Sequence, residues 1–247
     1  MTTTTSSPEA AAATTPQSIR ITPGLTLTLT APTTHNSAVT GVSLTGTWLW
    51  PSSLLLAHYL SSHVPPSSLV DKSVLELGAG YSGLPGLTAA GLGARHVTLT
   101  DTPEIIPLLM QNVGENVASN SLGIVEVRSL VWGEEAEEHD EEDFKHGDGK
   151  YDVVLMSDVF YDVGMMEKLG RMLRRVCGEM TRALGVIQLR QWTWECLAEL
   201  EKEGLELVEL GKFGCCLELW TGLEGTDGER FSVYEFIKKK EDDKTAD

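Results

Sequence analysis

A glycine-rich turn between an apolar segment and a helical segment most constrains how this 247-residue chain can fold. Gly78, Gly80 and Gly83 follow the spacing Gly-x-Gly-x-x-Gly, directly after the short apolar segment at residues 73–77. Glycine tolerates the positive φ angles of a tight turn and lets the backbone approach a ligand closely. The spacing therefore predicts a strand, a ligand-binding turn and a helix in succession. A dinucleotide-binding turn and a purely structural turn share this pattern.

Strand and helix patterns alternate along most of the remaining chain. Strands are predicted at 73–77, 97–100, 124–131, 151–157, 183–189, 205–210, 214–220 and 230–237, and helices at 48–60, 83–92, 103–118, 164–180 and 193–203. Such alternation is typical of a parallel sheet with helices on both faces. We therefore predict an α/β fold, a Rossmann-like, doubly wound and mostly parallel seven-stranded sheet. Alternating leucine and threonine at 25–29 add a short N-terminal β-hairpin.

Composition sets the limits of the predicted domain. Residues 1–17 are mainly Thr, Ser and Ala and cannot bury enough apolar surface to offset the entropy of ordering, so a disordered tail is predicted. Residues 18–237 are predicted to form a single domain, and residues 238–247 a charged C-terminal tail. Eight of the ten residues at 134–143 are carboxylates, which is typical of a solvated loop, although such a loop could also attract a lysine-rich surface.

The balance of charge limits the classes of partner. The chain has 19 basic and 36 acidic residues, a formal net charge of −17. It should repel nucleic acid and tolerate a basic protein partner, although solubility alone also explains the charge. No apolar run approaches the ~20 residues that cross a bilayer, and no signal peptide is visible. The four cysteines lack metal-site spacing, so no metal is expected, and the expected compartment is the cytoplasm, with the nucleus as an alternative.

Three side chains favour S-adenosylmethionine over a dinucleotide. Glu76 lies two residues before the first glycine, where a carboxylate can hold the cationic methionine end of that cofactor and would repel a pyrophosphate. Asp101 ends the next strand, where it can accept both ribose hydroxyls, a feature shared with NAD enzymes. Trp132 follows the predicted strand at 124–131, where an indole can cover the adenine, although core packing explains it equally well.

Four blocks of sequence occur in an order that carries a resemblance. They read Gly-Thr-Trp-Leu-Trp-Pro at 46–51, Glu-Leu-Gly-Ala-Gly at 76–80, Thr-Asp-Thr-Pro at 100–103 and Ser-Asp-Val-Phe-Tyr at 157–161. Over roughly residues 46–189 the chain resembles the family-16 methyltransferases, seven-strand S-adenosylmethionine-dependent enzymes that include protein-lysine methyltransferases. The last block resembles their Asp-x-x-Tyr motif. One position departs: the family often has an acidic residue before the tryptophan that would hold the adenine amine, and this chain has Val131.

The resemblance implies roles for particular residues. Trp50 would help close the cofactor pocket, and Asp158 and Tyr161 would face the acceptor near the transferred methyl group. Taken alone, Asp158 is also a candidate helix N-cap, and Tyr161 a candidate packing aromatic. The predicted catalytic residues are Asp158 and Tyr161, and the predicted cofactor-binding residues are Trp50, Glu76, Gly78, Gly80, Tyr81, Asp101, Thr102, Trp132 and Ser157.

The leading hypothesis is methyl transfer from S-adenosylmethionine to a lysine side chain of a protein substrate. A lysine amine must lose its proton before it attacks, and its ordinary pKa is about 10.4. Asp158 or Tyr161 could orient the amine by accepting an N–H bond. A small-molecule N-methyltransferase and a non-catalytic cofactor-binding subunit are the alternatives. An NAD-dependent oxidoreductase is disfavoured by Glu76 and by the lack of a candidate hydride-site His or Tyr-Lys pair.

Overall fold

The computed structural model describes residues 16–120, 122–133, 151–214 and 230–239. The strands are β1 (Gln17–Thr22), β2 (Leu25–Leu29), β3 (Ser73–Leu77), β4 (His96–Asp101), β5 (Ile124–Ser129), β6 (Tyr151–Ser157), β7 (Cys177–Gln188), β8 (Leu205–Gly214) and β9 (Arg230–Lys238). The helices are α1 (Pro51–Ser62), α2 (Leu84–Gly91), α3 (Ile106–Asn120), α4 (Val163–Val176) and α5 (Thr193–Lys202). The predicted acidic loop and most of both predicted tails lie outside the described residues, although β1 already begins at residue 17.

The main sheet has the strand order β5-β4-β3-β6-β7-β9-β8. Strands β3 to β7 pair in parallel, and β9 runs antiparallel to both β7 and β8. The predicted seven-stranded, mostly parallel sheet is confirmed, and so is the separate hairpin of β1 and β2. The order of strands reverses between β3 and β6. In open α/β sheets, ligands bind beyond the carboxyl ends of the strands at this point.

Strand β3 separates two apolar clusters, and all five of its residues are buried. Val74 belongs to the cluster beneath α1, α2 and the hairpin, whereas Leu75 and Leu77 belong to the cluster beneath α4 and α5. Successive side chains of a strand point to opposite faces, so Glu76 shares the face of Val74, the face that α2 covers. The predicted arrangement of helices on both faces is therefore confirmed.

Polar contacts attach the N-terminal hairpin to helix α3. The side-chain oxygen of Asn116 accepts a hydrogen bond from the N–H of Thr28 at 2.8 Å, and that of Asn112 accepts one from Thr30 at 2.7 Å. Asn112 also donates to the backbone oxygen of Tyr81 at 3.0 Å. Helix α3 thereby fixes both the hairpin and the end of the glycine turn. None of the described helices is long and apolar enough to cross a membrane.

Three predicted boundaries were wrong by four or more residues. The helix predicted to reach residue 180 ends at Val176, and β7 begins at once with Cys177, six residues before the predicted strand. Gly178 and Thr181 are weak helix formers, and the hydroxyl of Thr181 accepts from the N–H of Gly178 and donates to the backbone oxygen of Tyr151. The strand predicted at 205–210 continues to residue 214, and the next predicted strand, 214–220, otherwise lies outside the described residues.

Candidate functional site

A cavity of about 590 Å³ lies at the carboxyl ends of β3 to β7. Each of these strands ends in or leads to a lining residue: Gly78 follows β3, Asp101 ends β4, Leu130 follows β5, Ser157 ends β6 and Arg190 follows β7. Nine of the eleven predicted site residues line this cavity, namely Trp50, Gly78, Gly80, Asp101, Thr102, Trp132, Ser157, Asp158 and Tyr161. Glu76 and Tyr81 are outside the lining.

The glycine turn presents only backbone to the cavity at Gly78 and Gly80, because neighbouring protein atoms leave no space for a side chain at either position. Gly78 and Gly80 have φ angles of +69° and +61°, in the left-handed region that favours glycine. A Cβ on Gly78 would lie 2.7 Å from the side chain of Val159, and one on Gly80 would lie 3.2 Å from the backbone oxygen of Gly46. The turn is therefore a bare backbone cradle, which fits the approach of a cofactor.

The tryptophan block at 46–51 closes over this turn. The N–H of Tyr81 donates to the backbone oxygen of Gly46 at 2.7 Å, and the indole N–H of Trp50 donates to that of Thr45 at 3.0 Å. Trp48 and Trp50 both line the cavity. The block therefore forms a wall of the cavity, as its resemblance to the family implies for Trp50.

The carboxylate of Asp101 is fixed between β4 and the glycine turn. Its Oδ2 accepts from the N–H of Gly80 at 2.8 Å, and its Oδ1 accepts from the N–H of Thr102 at 2.7 Å. Burial raises the pKa of Asp101, and these hydrogen bonds oppose the increase. A carboxylate oxygen can accept more than one hydrogen bond, so this geometry fits the predicted contact with ribose hydroxyls.

Glu76 and Tyr81 are placed differently from their predicted roles. The side chain of Glu76 is fully buried on the α2 side of the sheet, where Oε2 accepts from the N–H of Gly86 at 2.8 Å. Among the described residues Oε1 has no hydrogen-bond partner. Burial raises the pKa of Glu76 to about 8, so this carboxyl group is mainly neutral at pH 7. In this position Glu76 does not contact the cavity in which a cationic cofactor would bind. Tyr81 is also buried, and its backbone N–H holds the glycine turn against Gly46.

Apolar walls form the end of the cavity near β5. Ile105, Leu130 and Val131 line it together with Trp132, whose ring lies 3.6 Å from the position of a Cβ on Gly78. Trp132 also packs against the apolar cluster under α4 and α5, so it serves the core and the cavity together. Val131 brings no carboxylate to this part of the lining. An acidic residue that does line the cavity, in the segment after β4, is Glu104, which sequence reasoning missed.

The opposite end of the cavity contains an ion pair between Asp158 and Arg190. Two guanidinium nitrogens donate to the two carboxylate oxygens, each at 2.7 Å. The side chain of Asp158 is only 2% exposed, and its φ of +57° is unusual for a residue other than glycine. The N-cap alternative for Asp158 is wrong, because the side chain of Asp162 caps α4 by accepting from Gly164 at 2.9 Å. A direct contact of Asp158 with the acceptor stays a prediction.

Aromatic side chains surround the mouth at this end. Tyr161 is 46% exposed and Trp192 is 44% exposed, and both line the cavity. The hydroxyl of Tyr161 lies 3.4 Å from that of Thr45. The exposure of Tyr161 argues against the alternative of a purely packing aromatic. Sequence reasoning missed Arg190 and Trp192, although both follow a predicted strand whose end had to lie at this edge of the sheet.

A family model described as lysine methyltransferase matches residues 34–217. The chain belongs to that family. Mouse protein-lysine methyltransferase METTL21E is 31% identical over 180 residues, which are 72% of this chain and 71% of the mouse protein. Histone-arginine methyltransferase METTL23 of Xenopus laevis is 36% identical over 167 residues, 67% of each chain. The fold matches that of glycopeptide N-methyltransferase MtfA, solved with sinefungin, with a TM-score of 0.51 and 11% identity over 77% of this chain and 95% of MtfA.

Family membership and the cavity agree on the cofactor. The methyltransferase binds S-adenosylmethionine, and the bare turn at Gly78 and Gly80 together with the carboxylate of Asp101 fits that molecule. The lining runs from apolar walls near β5, past Asp101, to the ion pair beyond β6. The adenine, ribose and methionine parts of the cofactor can be accommodated in that order. The end of the cavity at Arg190 is then left for the acceptor.

Proposed function

We propose that this methyltransferase transfers the methyl group to the ε-amine of a lysine in a protein substrate. The observation that carries the proposal is the half-exposed aromatic mouth at the acceptor end, formed by Tyr161 and Trp192. A side chain that projects from another protein can enter there, and the long unbranched chain of a lysine can reach past these two aromatic rings into the cavity. The family description and the name of METTL21E support lysine, whereas the name of METTL23 makes arginine the competing acceptor.

S-adenosylmethionine supplies, when bound, a methyl group on a cationic sulfonium. The contribution of the chain is to position the reactants and to exclude water. Asp101 and the glycine turn would hold the cofactor, and the hydroxyl of Tyr161 can accept an N–H bond from the entering amine. A cationic centre nearby favours the neutral form of that amine, which is the form that attacks.

A substrate with a basic surface fits the charge of the enzyme. The chain carries a formal net charge of −17, and the acidic residues Glu104 and Asp162 lie in the cavity lining. Opposite charge accelerates the encounter of two proteins, and salt screens this attraction. We therefore propose a partly electrostatic encounter whose rate falls as ionic strength rises. Nucleic acid and membranes are not proposed as partners.

Transfer of radiolabel tests the proposal. The enzyme is incubated with tritium-labelled S-adenosylmethionine and dialysed cell lysate, and the products are separated by gel and by acid hydrolysis. Label in a protein band that hydrolyses to methyllysine supports the proposal. Label that needs the undialysed small-molecule fraction would favour the small-amine alternative. Binding of S-adenosylhomocysteine without any transfer would favour a non-catalytic subunit.

A further inference from the structure

The side chain of Arg190 is held at the acceptor end by contacts with three residues. Besides both oxygens of Asp158, its guanidinium contacts the side-chain oxygen of Gln188 at 2.5 Å. Its central carbon lies 5.7 Å from the centre of the Trp50 ring, within the range of a cation–π contact. The Arg190 side chain is 22% exposed, so the fork is held in place but reaches the cavity.

This pairing occupies both oxygens of the buried carboxylate at the acceptor end of the cavity. Each oxygen of Asp158 accepts from the planar guanidinium, whereas the exposed Asp162 uses only Oδ1, for the cap bond of α4. Arg190 is also the only basic residue among those described as lining the cavity. At the buried Asp158 position, an entering cation therefore meets a neutralised ion pair in place of a free counter-ion.

The two candidate acceptors respond differently to such a site. A guanidinium keeps its charge in proteins and binds carboxylates through two parallel hydrogen bonds, the arrangement that Arg190 already makes with Asp158. An amine can lose its proton when water is excluded, and it needs a single hydrogen-bond partner. Arg190 thus occupies the position on Asp158 that a substrate guanidinium would need, whereas a neutral amine can still bind.

We propose that Arg190 determines the acceptor class, because by holding both oxygens of Asp158 it admits a lysine amine and refuses a substrate guanidinium. The inference rests on the proposed function, since it concerns the acceptor of that reaction. Arg190 acts here through Asp158 and is a specificity-determining and positioning residue.

The product formed by Arg190 variants tests this inference. Arg190→Gln frees the carboxylate, Arg190→Lys keeps a cation without the planar fork, and Asp158→Asn combined with Arg190→Gln removes both charges. Each enzyme labels dialysed lysate proteins, and methylarginine and methyllysine are separated after hydrolysis. We expect the ratio of methylarginine to methyllysine to rise at least tenfold in Arg190→Gln, to rise less in Arg190→Lys, and to return towards the wild-type value in the double variant. An unchanged ratio in Arg190→Gln overturns the inference.

A binding measurement keeps the test independent of turnover. Butylguanidinium is titrated into each protein in complex with S-adenosylhomocysteine, which stabilises the fold of weakened variants, and tryptophan fluorescence is followed. We expect at least tenfold tighter binding to Arg190→Gln than to the wild type, and weak binding again in the double variant. If Arg190→Gln does not fold, Arg190→Lys serves instead, with a smaller gain expected. Equal affinity in all variants overturns the inference. A wild type that labels no protein would defeat the proposed function alone.

Discussion

Glu76 accepts a hydrogen bond 2.8 Å long from the N–H of Gly86, and this bond connects strand β3 to the first turn of helix α2. The first N–H groups of a helix have no partner within the helix, and the N-cap residue Gly83 has no side chain to provide one. Glu76 therefore provides, from the sheet, the hydrogen-bond acceptor for a first-turn N–H that an N-cap side chain usually provides. Its burial makes the charged form of the carboxyl costly.

The stability of the protein should consequently fall as pH rises through the neutral range. The pKa of Glu76 is about 8 in the folded protein, above the ordinary value of 4.5, so the folded state binds the extra proton between these values. The contribution to stability is complete below pH 4.5 and is lost as pH rises through about 8. The loss should be on the order of a few kcal/mol, measured from chemical denaturation of the wild type at pH 6 and pH 8.5.

Glu76→Gln is the matched control for this pH dependence. Glutamine keeps an oxygen acceptor for Gly86 and cannot ionise, so the variant should lose less stability than the wild type between pH 6 and pH 8.5. Other titrating groups contribute equally to both proteins and cancel in the comparison. Parallel pH profiles of the two proteins would mean that Glu76 titrates normally.

Asp101→Ala should weaken cofactor binding more than it weakens folding. Loss of a charge-assisted hydrogen bond costs roughly 1.5–3 kcal/mol, which corresponds to about a ten- to hundredfold higher Kd for S-adenosylhomocysteine in calorimetry. Asp152→Ala is the control, because Asp152 also accepts a backbone N–H, from Ser73 at 2.8 Å, but lies outside the cavity lining. Equal Kd values for the wild type and Asp101→Ala would reduce Asp101 to a structural residue of the turn.

Cofactor selectivity can be tested with the unmodified protein. S-adenosylmethionine and S-adenosylhomocysteine should raise Tm, because a ligand that binds only the folded state stabilises it by RT ln(1 + [L]/Kd), about 2.7 kcal/mol at a hundredfold excess over Kd. NAD should leave Tm unchanged. The reverse pattern, stabilisation by NAD alone, would contradict the cofactor assignment.

The sequence predicted the sheet and the lining of the cavity because both follow from local patterns. Alternating strands and helices define the parallel sheet, and residues directly after β3, β4 and β6 must lie at its carboxyl edge. The orientation of Glu76 followed from the same alternation, since it shares a face with the core residue Val74. The interpretation of Glu76 by motif alone overlooked this constraint.

The partner of Asp158 could not be predicted in the same way. Arg190 lies 32 residues further along the chain, and the two meet because β6 pairs with β7 in the register that sets Ser157 opposite Val186. Strand β7 begins six residues earlier than predicted but ends within one residue of its predicted end, so the position of Arg190 after the strand was predictable. Pairing of long side chains across two strand ends depends on register and on rotamers, which the sequence pattern does not specify.

Asp158→Asn tests the role of the ion pair. Asparagine tolerates the positive φ of this position and can keep one hydrogen bond to Arg190, so the fold should persist with a loss of about 1–3 kcal/mol. It leaves the Arg190 cation without a counter-ion at the acceptor end, where that cation opposes a cationic acceptor. We expect cofactor Kd within a few-fold of the wild type and turnover reduced about a hundredfold, equal to roughly 2.7 kcal/mol.

A second variant separates this effect from simple destabilisation of α4. Asp162→Ala removes the cap bond to Gly164 and should cost roughly 1 kcal/mol of stability. If loosening of α4 were the cause of lost turnover, Asp162→Ala would reproduce the defect of Asp158→Asn at equal loss of Tm. If turnover depends on the Asp158–Arg190 ion pair at the acceptor end, Asp158→Asn must be the slower enzyme when the two variants are compared at equal stability. Near-normal turnover of Asp158→Asn would remove the Asp158–Arg190 pair from the reaction.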